Sequence, residues 1–322
     1  MTIHTHFTHH TAITHPIMLA PMGSVAGGEL TAAVSNAGGL GMLGVGYGDL
    51  PTLKQELELV SQLTTKPWGV GFITWSLNDE IFDLVMQYSP AALMFSFGDP
   101  RPWVRRLTQR PTTLLCQVHD LAGAIEVHEQ INPDFIVVQG TEAGGHGAGT
   151  RSTLPLIQAV KKRLPSAAII AAGGIVDGAS LAAALQLGAD GVSMGSRFYA
   201  STESLAHPRL KQCMIESSGD NTIRTNVFDI VREINWPAGF TGRAINNHFV
   251  QRWHNHTQDL QQNRIAQQAA FFAAQQQAEP DMAIVWAGEG IDMITDIQPA
   301  ATLTTQIAAE AEQLLKQAAT FI

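Results

Sequence analysis

The chain is poor in charge. Only 15% of its 322 residues are Asp, Glu, Lys or Arg, against about a quarter in an average soluble domain, so disorder throughout is excluded and much of the chain belongs to interior or interface. That composition leaves room for a homo-oligomer. The 19 Lys and Arg are scattered and outnumbered by 28 Asp and Glu, giving a net charge of −9, which excludes the clustered basic footprint that nucleic acid requires. Arg101, Arg105 and Arg106 form the densest basic group and read as a solvated helix face. The 2 cysteines, Cys116 and Cys213, are far apart and outside any CxxC spacing, so neither a metal site nor a disulfide framework is indicated, and both read as reduced, buried thiols. No apolar run reaches about 18 residues, and the N-terminus lacks the basic segment and apolar core of a signal peptide. The expectation is a cytoplasmic protein with no membrane partner. Also missing are a GxGxxG fingerprint in its strand-to-helix setting and a GxxxxGK(S/T) loop, which argues against NAD on its own Rossmann unit and against ATP.

What is present is a rhythm. After a Thr-rich opening with His4, His6, His9, His10 and His15, read as a mobile or edge-docked arm rather than a metal site, short apolar runs alternate with stretches of helical period. The runs are Ile17–Ala20, Leu40–Gly44, Gly69–Thr74, Ala91–Phe95, Thr113–Val118, Phe135–Val138, Ala168–Ala172 and Gly191–Met194. Helices are predicted over Gly28–Asn36, Thr52–Leu63, Asn78–Tyr88, Leu121–Gln130, Leu154–Leu164 and Gly178–Leu187, with Gly38, Gly39, Pro133 and Gly188 as punctuation. Strands apolar on both faces, each followed by a helix and repeated eight times, predict an α/β fold of the closed (β/α)8 TIM-barrel type, with an open doubly wound sheet as the structural alternative. After Ser217 the rhythm stops: Asn221–Trp253 reads as irregular loops, His254–Ala278 as one long helix and Thr302–Ala319 as an amphipathic helix. The expected division is a barrel over residues 1–217 and 291–322 with a helical insertion or lid over 218–290.

Glycine marks the ends of four strands, where a barrel builds its active site. These segments are Ala20-Pro21-Met22-Gly23, Gln139 to Gly147, Ala172-Gly173-Gly174-Ile175, and Met194-Gly195-Ser196-Arg197-Phe198. The last two follow the seventh and eighth strands, the usual phosphate-binding pair, where glycine admits close backbone approach and positive φ. A mononucleotide fits this arrangement. His146 lies among glycines without apolar periodicity, so a core role does not explain it, and neutral imidazole is suited to remove a proton near neutral pH. Glu142 could orient that imidazole or, the favoured reading, accept a loop N–H. His248, His254 and His256 sit in the expected lid, where solvent-facing histidines are the first expectation.

Taken together, Pro16-Ile17-Met18-Leu19-Ala20-Pro21-Met22, Asn36-Ala37-Gly38-Gly39-Leu40-Gly41, Gly69-Val70-Gly71-Phe72, Glu142-Ala143-Gly144-Gly145-His146-Gly147, Ala172-Gly173-Gly174-Ile175, Met194-Gly195-Ser196-Arg197-Phe198 and the later Trp286-Ala287-Gly288-Glu289-Gly290 resemble the nitronate monooxygenases. The resemblance implies FMN as cofactor. Its phosphate would be held at Gly173, Gly174, Gly195 and Ser196, and its ring at Ala20, Pro21, Met22, Gly71, Gln117 and Gln139, with Gly144 and Gly145 lining it. His146 matches the family's catalytic histidine. Some relatives carry Asn, Lys and Asp where this chain has Gly71, Gln117 and Gln139, leaving fewer ionisable groups around the flavin. The implied reaction is oxidative denitrification of an alkyl nitronate such as propionate 3-nitronate, extending to neutral nitroalkanes if His146 removes their α-proton, by O2 to a carbonyl compound and nitrite. The rival reading is an NAD(P)H-dependent FMN reductase of quinones or of enoyl-acyl carrier protein, and a third is a silent flavin-binding scaffold.

Overall fold

A computed structural model describes residues 3–107, 112–149 and 151–318. Its strands are β1 (Ile17–Leu19), β2 (Gly41–Gly44), β3 (Trp68–Ile73), β4 (Ala92–Ser96), β5 (Thr113–Val118), β6 (Phe135–Gln139), β7 (Gly145–Ala148), β8 (Ile169–Ala172), β9 (Gly191–Met194), β10 (Thr222–Thr225) and β11 (Phe240–Ile245). An 8-stranded parallel sheet runs in the order β1-β9-β8-β6-β5-β4-β3-β2. A parallel bridge between Met18 and Leu40 joins its two ends, so the sheet closes into the expected barrel. Each of the apolar runs is one of these strands. They lack alternation because both faces are covered: Met18, Met42, Met94, Leu115, Val137 and Ile170 fill the barrel interior, while Ile17, Leu19, Ile136, Val138 and Ala171 pack outward against helices.

The surrounding helices begin where the sequence supplies caps. Asn78, Asp120 and Asp177 accept from the backbone N–H of Ile81, Gly123 and Ser180, opening helices Asp79–Met86, Leu121–Gln130 and Gly178–Gln186. Helix Ala300–Ala318 returns to the barrel, where the Glu310 carboxylate accepts from Gly178 N–H at 2.8 Å. Ala319, the expected end of this helix, lies outside the described residues. Arg106 pairs with Asp79 at 2.8 Å on the surface and covers the Phe82 ring. Cys116 is buried in β5, whereas Cys213 is half-buried rather than buried. Among the described residues no helix is long and apolar enough to cross a membrane.

Two segments differ from their sequence reading. The His-rich opening is not an arm: Thr5 caps a helix, His6–Thr11, whose fully buried Phe7 enters the N-terminal end of the barrel. Phe7 meets the Phe135 ring edge-on at 5.1 Å, and the His6 and His10 rings pack on the same ring. A Cβ on Gly191 would lie 2.6 Å from Phe7, so the glycine makes room for this plug. Thr and His have poor helix propensity, and burial of one aromatic side chain overrides it. Asn221–Trp253 is likewise ordered: β10 and β11 pair antiparallel, β7 joins β11, and helices Val227–Arg232 and His248–Trp253 flank them. Arg, Thr and Gly in these strands hide the period-2 signal. Helix Thr257–Gln276 buries Leu260, Phe271 and Ala274 and leaves most of its glutamines to solvent. Phe271 joins Phe228, Phe249 and Trp253 in an apolar cluster within the segment.

Because Phe7 is fully buried, Phe7→Ala should destabilise the protein by about 3–5 kcal/mol, measured as a fall in the urea unfolding midpoint.

Candidate active site

The C-terminal ends of the barrel strands open into a cavity of about 900 Å³. It gathers Ala20, Pro21, Met22, Gly71, Gln117, Gln139, Gly144, Gly145, His146, Gly173, Gly174, Gly195 and Ser196, so His146 and the positions matched to the cofactor line one space. The floor is close-fitting. A Cβ at Gly71 would overlap the Pro21 ring, so only glycine lets the β1 loop lie across the end of β3. On the far side Gly173 and Gly174 take positive φ, +105° and +69°, turning the chain sharply after β8. Beside them, after the neighbouring strand β9, Ser196 begins the short helix Ser196–Tyr199, and its Oγ accepts from Gly288 N–H at 3.0 Å.

Glu142 does not touch His146. Its carboxylate accepts from Thr153 N–H at 2.9 and 3.0 Å and from Thr153 Oγ1 at 3.1 Å, the structural role favoured for it. The Gly-rich segment around His146 is also not wholly a loop, since Gly145–Ala148 forms β7. Arg224 holds it in place: the half-buried guanidinium donates to Thr141 O (3.1 Å), Gly147 O (3.1 Å), Ala143 O (3.3 Å) and Thr241 O (2.8 Å). Burial lowers the Arg224 pKa to about 10, with the like charge of Arg243 adding to the effect. Arg243 also donates to Thr141 O and pairs with Glu289 at 2.7 Å, binding the closing segment to the same loop.

The partners of His146 were not evident in the sequence. Its Nε2 lies 2.9 and 3.0 Å from the two carboxylate oxygens of Asp229, a buried residue of helix Val227–Arg232. Arg232 Nη2 donates to Asp229 Oδ1 at 2.9 Å. Trp236 stacks on the imidazole at 3.8 Å and 7°, and Trp286 approaches it at 5.0 Å. Burial holds His146 below the ordinary imidazole range, while the hydrogen bond and charge of Asp229 oppose that shift. The only signals for Asp229 were an acidic residue inside the apolar run Val227–Val231 and an arginine three residues later. His248 and His256 are solvent-facing beside Asp281 and Asp259, and His254 contacts Thr225 Oγ1; none of these three lines the cavity.

A second histidine organises the floor. His119 is buried, stacks on Phe97 and lies 2.8 Å from Gln139 Oε1. Gln117 Nε2 donates to the same oxygen at 3.2 Å. Burial lowers the His119 pKa to about 4, so the neutral ring donates through Nε2 and the Gln139 amide nitrogen remains as that side chain's donor. Among the described residues no group of three His, Cys, Asp or Glu is placed to hold a metal ion.

The nitronate monooxygenase family model matches residues 4–81 and 73–310. The chain belongs to this family. Like its other members it is an oxidoreductase. It is 33% identical to the nitronate monooxygenase npaC of Metarhizium robertsii, over 77% of this chain and 76% of that one. It is 27% identical to a probable nitronate monooxygenase of Staphylococcus aureus, over 95% of this chain and 96% of the other. Among solved structures, FabK from Thermotoga maritima superposes with a TM-score of 0.85 at 27% identity, covering 100% of both chains. The nitroalkane oxidase of Streptomyces ansochromogenes gives a TM-score of 0.82 at 25% identity, covering 97% of this chain and 99% of that one. The family match thus agrees with a likeness in shape along essentially the whole chain.

The buried neutral state of His119 has a thermodynamic consequence. Its folded pKa of about 4 lies below the unfolded value of 6.5, so between these values the unfolded chain binds more protons. The contribution to stability is complete above pH 6.5 and is lost as pH falls toward 4. In NMR the His119 ring resonances should hold their neutral positions from pH 8 to pH 5, while the urea midpoint of the wild type declines below pH 6.5 more steeply than that of His119→Gln.

Proposed function

We propose that this family member binds FMN in the cavity and carries out the oxidative denitrification of alkyl nitronates, consuming O2 and yielding a carbonyl compound and nitrite. The observation that carries this reading is the gathering of His146, the strand-end glycines and the Gln117–Gln139 pair around one cavity in a chain of this family. The residues suit the cofactor. Gly173 and Gly174 in positive φ, with Gly195 and Ser196 at the end of the neighbouring strand, would hold the phosphate through backbone N–H groups and the Ser196 hydroxyl. The nearby Arg197 is not available for this, because it pairs with Asp296 and Ala200 O. Ala20, Pro21, Met22 and Gly71 would support the ring, the Gln117 and Gln139 amides would meet its polar edge, and Gly144 and Gly145 would line it. A Cβ on Gly145 would meet nothing within 4 Å, so this wall has room for a flat ligand. When bound, FMN supplies the electron-accepting and O2-reactive chemistry, and the protein supplies orientation and electrostatics.

His146 is the group placed to take a proton. With a neutral nitroalkane it would accept the acidic α-proton and generate the nitronate within the cavity; a nitronate offered as such needs no base. The remaining walls suit an apolar tail. Val25, Leu53, Leu205, Phe271, Phe272 and Ile284 line the cavity, and the one Lys or Arg among the described residues that line it, Arg232, already donates to Asp229 and to Phe228 O. A carboxylate-bearing substrate such as propionate 3-nitronate would find no uncommitted cation.

The second reading, an NAD(P)H-dependent FMN reductase of quinones or of enoyl-acyl carrier protein, is favoured by the likeness to FabK along the whole chain. A barrel alone does not fix which donor reduces its flavin. The two readings separate under anaerobic conditions. The purified protein should be yellow, and ethylnitronate should bleach its flavin while NADH does not, with nitrite appearing once air is admitted. Bleaching by NADH alone would replace the first reading with the second. Each additional buried methylene contributes about 0.8 kcal/mol, so pentylnitronate should exceed propionate 3-nitronate in kcat/KM by about tenfold or more in an oxygen-electrode assay.

A further inference from the structure

We infer that Asp229 is a positioning residue that fixes His146 as its Nε2–H tautomer and thereby makes Nδ1 the proton-accepting atom. This rests on the reading of His146 as the base and specifies how that base is set. The imidazole is constrained at Nε2 and across its ring. Both Asp229 oxygens face Nε2, at 2.9 and 3.0 Å. An ionised carboxylate only accepts hydrogen bonds, so the proton between them belongs to the imidazole. Trp236 covers one ring face at 3.8 Å. Trp286 approaches the ring at 5.0 Å, tilted by 58°, and a Cβ on Gly242, the residue paired with His146 across β7 and β11, would run into its indole. Asp229 is itself held, by Arg232 Nη2 at 2.9 Å. The ring cannot turn its Nε2 to the substrate without abandoning a buried, charge-assisted hydrogen bond.

The proton transfer then has a defined course. The α C–H bond of the nitroalkane breaks, its electron pair passes into the nitro group to give the nitronate, and the proton forms a bond to Nδ1. The imidazolium so formed keeps Nε2–H on Asp229, whose negative charge stabilises it, as carboxylates do in histidine-based catalysis generally. The charged groups acting on His146 are Asp229, which favours the imidazolium, and Arg232 and Arg224, which oppose it. Removing the Asp229 charge therefore leaves only opposing ones.

The test uses the full-length protein as purified, with 15N-labelled histidine. At pH 8 the wild-type His146 should show a protonated Nε2 and an unprotonated Nδ1. Asp229→Asn should populate the Nδ1–H form and lower the His146 pKa, and Asp229→Glu should restore the wild-type tautomer. In turnover, Asp229→Asn should lower the ratio of nitroethane to ethylnitronate oxidation by about 100-fold, because only the neutral substrate needs the base. Finding Nδ1–H in the wild type, or an unchanged tautomer and pKa in Asp229→Asn, would overturn the inference whatever the activity proves to be. A parallel loss with both substrates would overturn it too, by showing a structural role. Failure of the wild type to oxidise either substrate would instead count against the proposed reaction, and the NMR result would still decide the role of Asp229.

Discussion

The site depends on one half-buried cation. Arg224 stands on β10, in the segment that follows the barrel, and its guanidinium collects carbonyls from Thr141, Ala143 and Gly147 on the barrel side and from Thr241 on β11. Removing a guanidinium from water is costly unless each donor finds an acceptor, and here carbonyls of the loop after β6, of β7 and of β11 supply them. The same contacts determine where His146 sits. β7 is a short, glycine-rich strand with little side-chain packing of its own, and its register on β11 places His146 opposite Gly242. That register, with Arg224 behind it, brings the imidazole within reach of a carboxylate 83 residues further along the chain.

The barrel was legible in the sequence because its physics is local. A parallel strand covered on both faces must be apolar throughout, and a helix following it must be amphipathic, so Phe135–Gln139 or Ile169–Ala172 declare themselves without reference to anything distant. The glycines at strand ends were legible for the same reason, since positive φ at Gly173 and Gly174 is a property of the backbone at those residues. The opening helix was not legible. His6–Thr11 has neither propensity nor a visible apolar face, and it exists because Phe7 fills the end of the barrel. β10 and β11 were hidden because their arginines and threonines point at loop carbonyls and at one another, so polar residues that would mark a solvated strand are half-buried here.

Asp229 and His119 were hidden for a different reason. A lone carboxylate in Val227–Val231 and a histidine just past β5 acquire their roles only from residues far off in the chain: Asp229 from His146 and from the register of β7, His119 from Gln139 and Phe97. Sequence spacing cannot supply such pairings. Glu142, four residues before His146, was the nearer candidate for orienting it, yet its carboxylate is consumed by the N–H and hydroxyl of Thr153 at the start of the next helix. Proximity along the chain was therefore a poor guide to proximity in the cavity, whereas the position of each residue at a strand end was a good one.

The two halves of the site answer to different constraints. Its floor belongs to the barrel and is built from backbone, small residues and neutral amides, with Arg197 turned away to Asp296. Such a floor suits a flavin and says little about the substrate. Its roof belongs to the later segment: Trp236, Phe271, Phe272 and Trp286 line the cavity from there, and Trp236 Nε1 donates at 2.9 Å to the hydroxyl of Tyr47, which stands in the loop after β2. That bond, with the edge-on contacts of Trp236 on Trp75 and Phe97, ties roof to floor. The histidine lies at the boundary of the two, on a strand that the barrel supplies and the segment holds. A change in the later segment can therefore alter access to the cavity and the setting of the His146 imidazole together while leaving the floor intact.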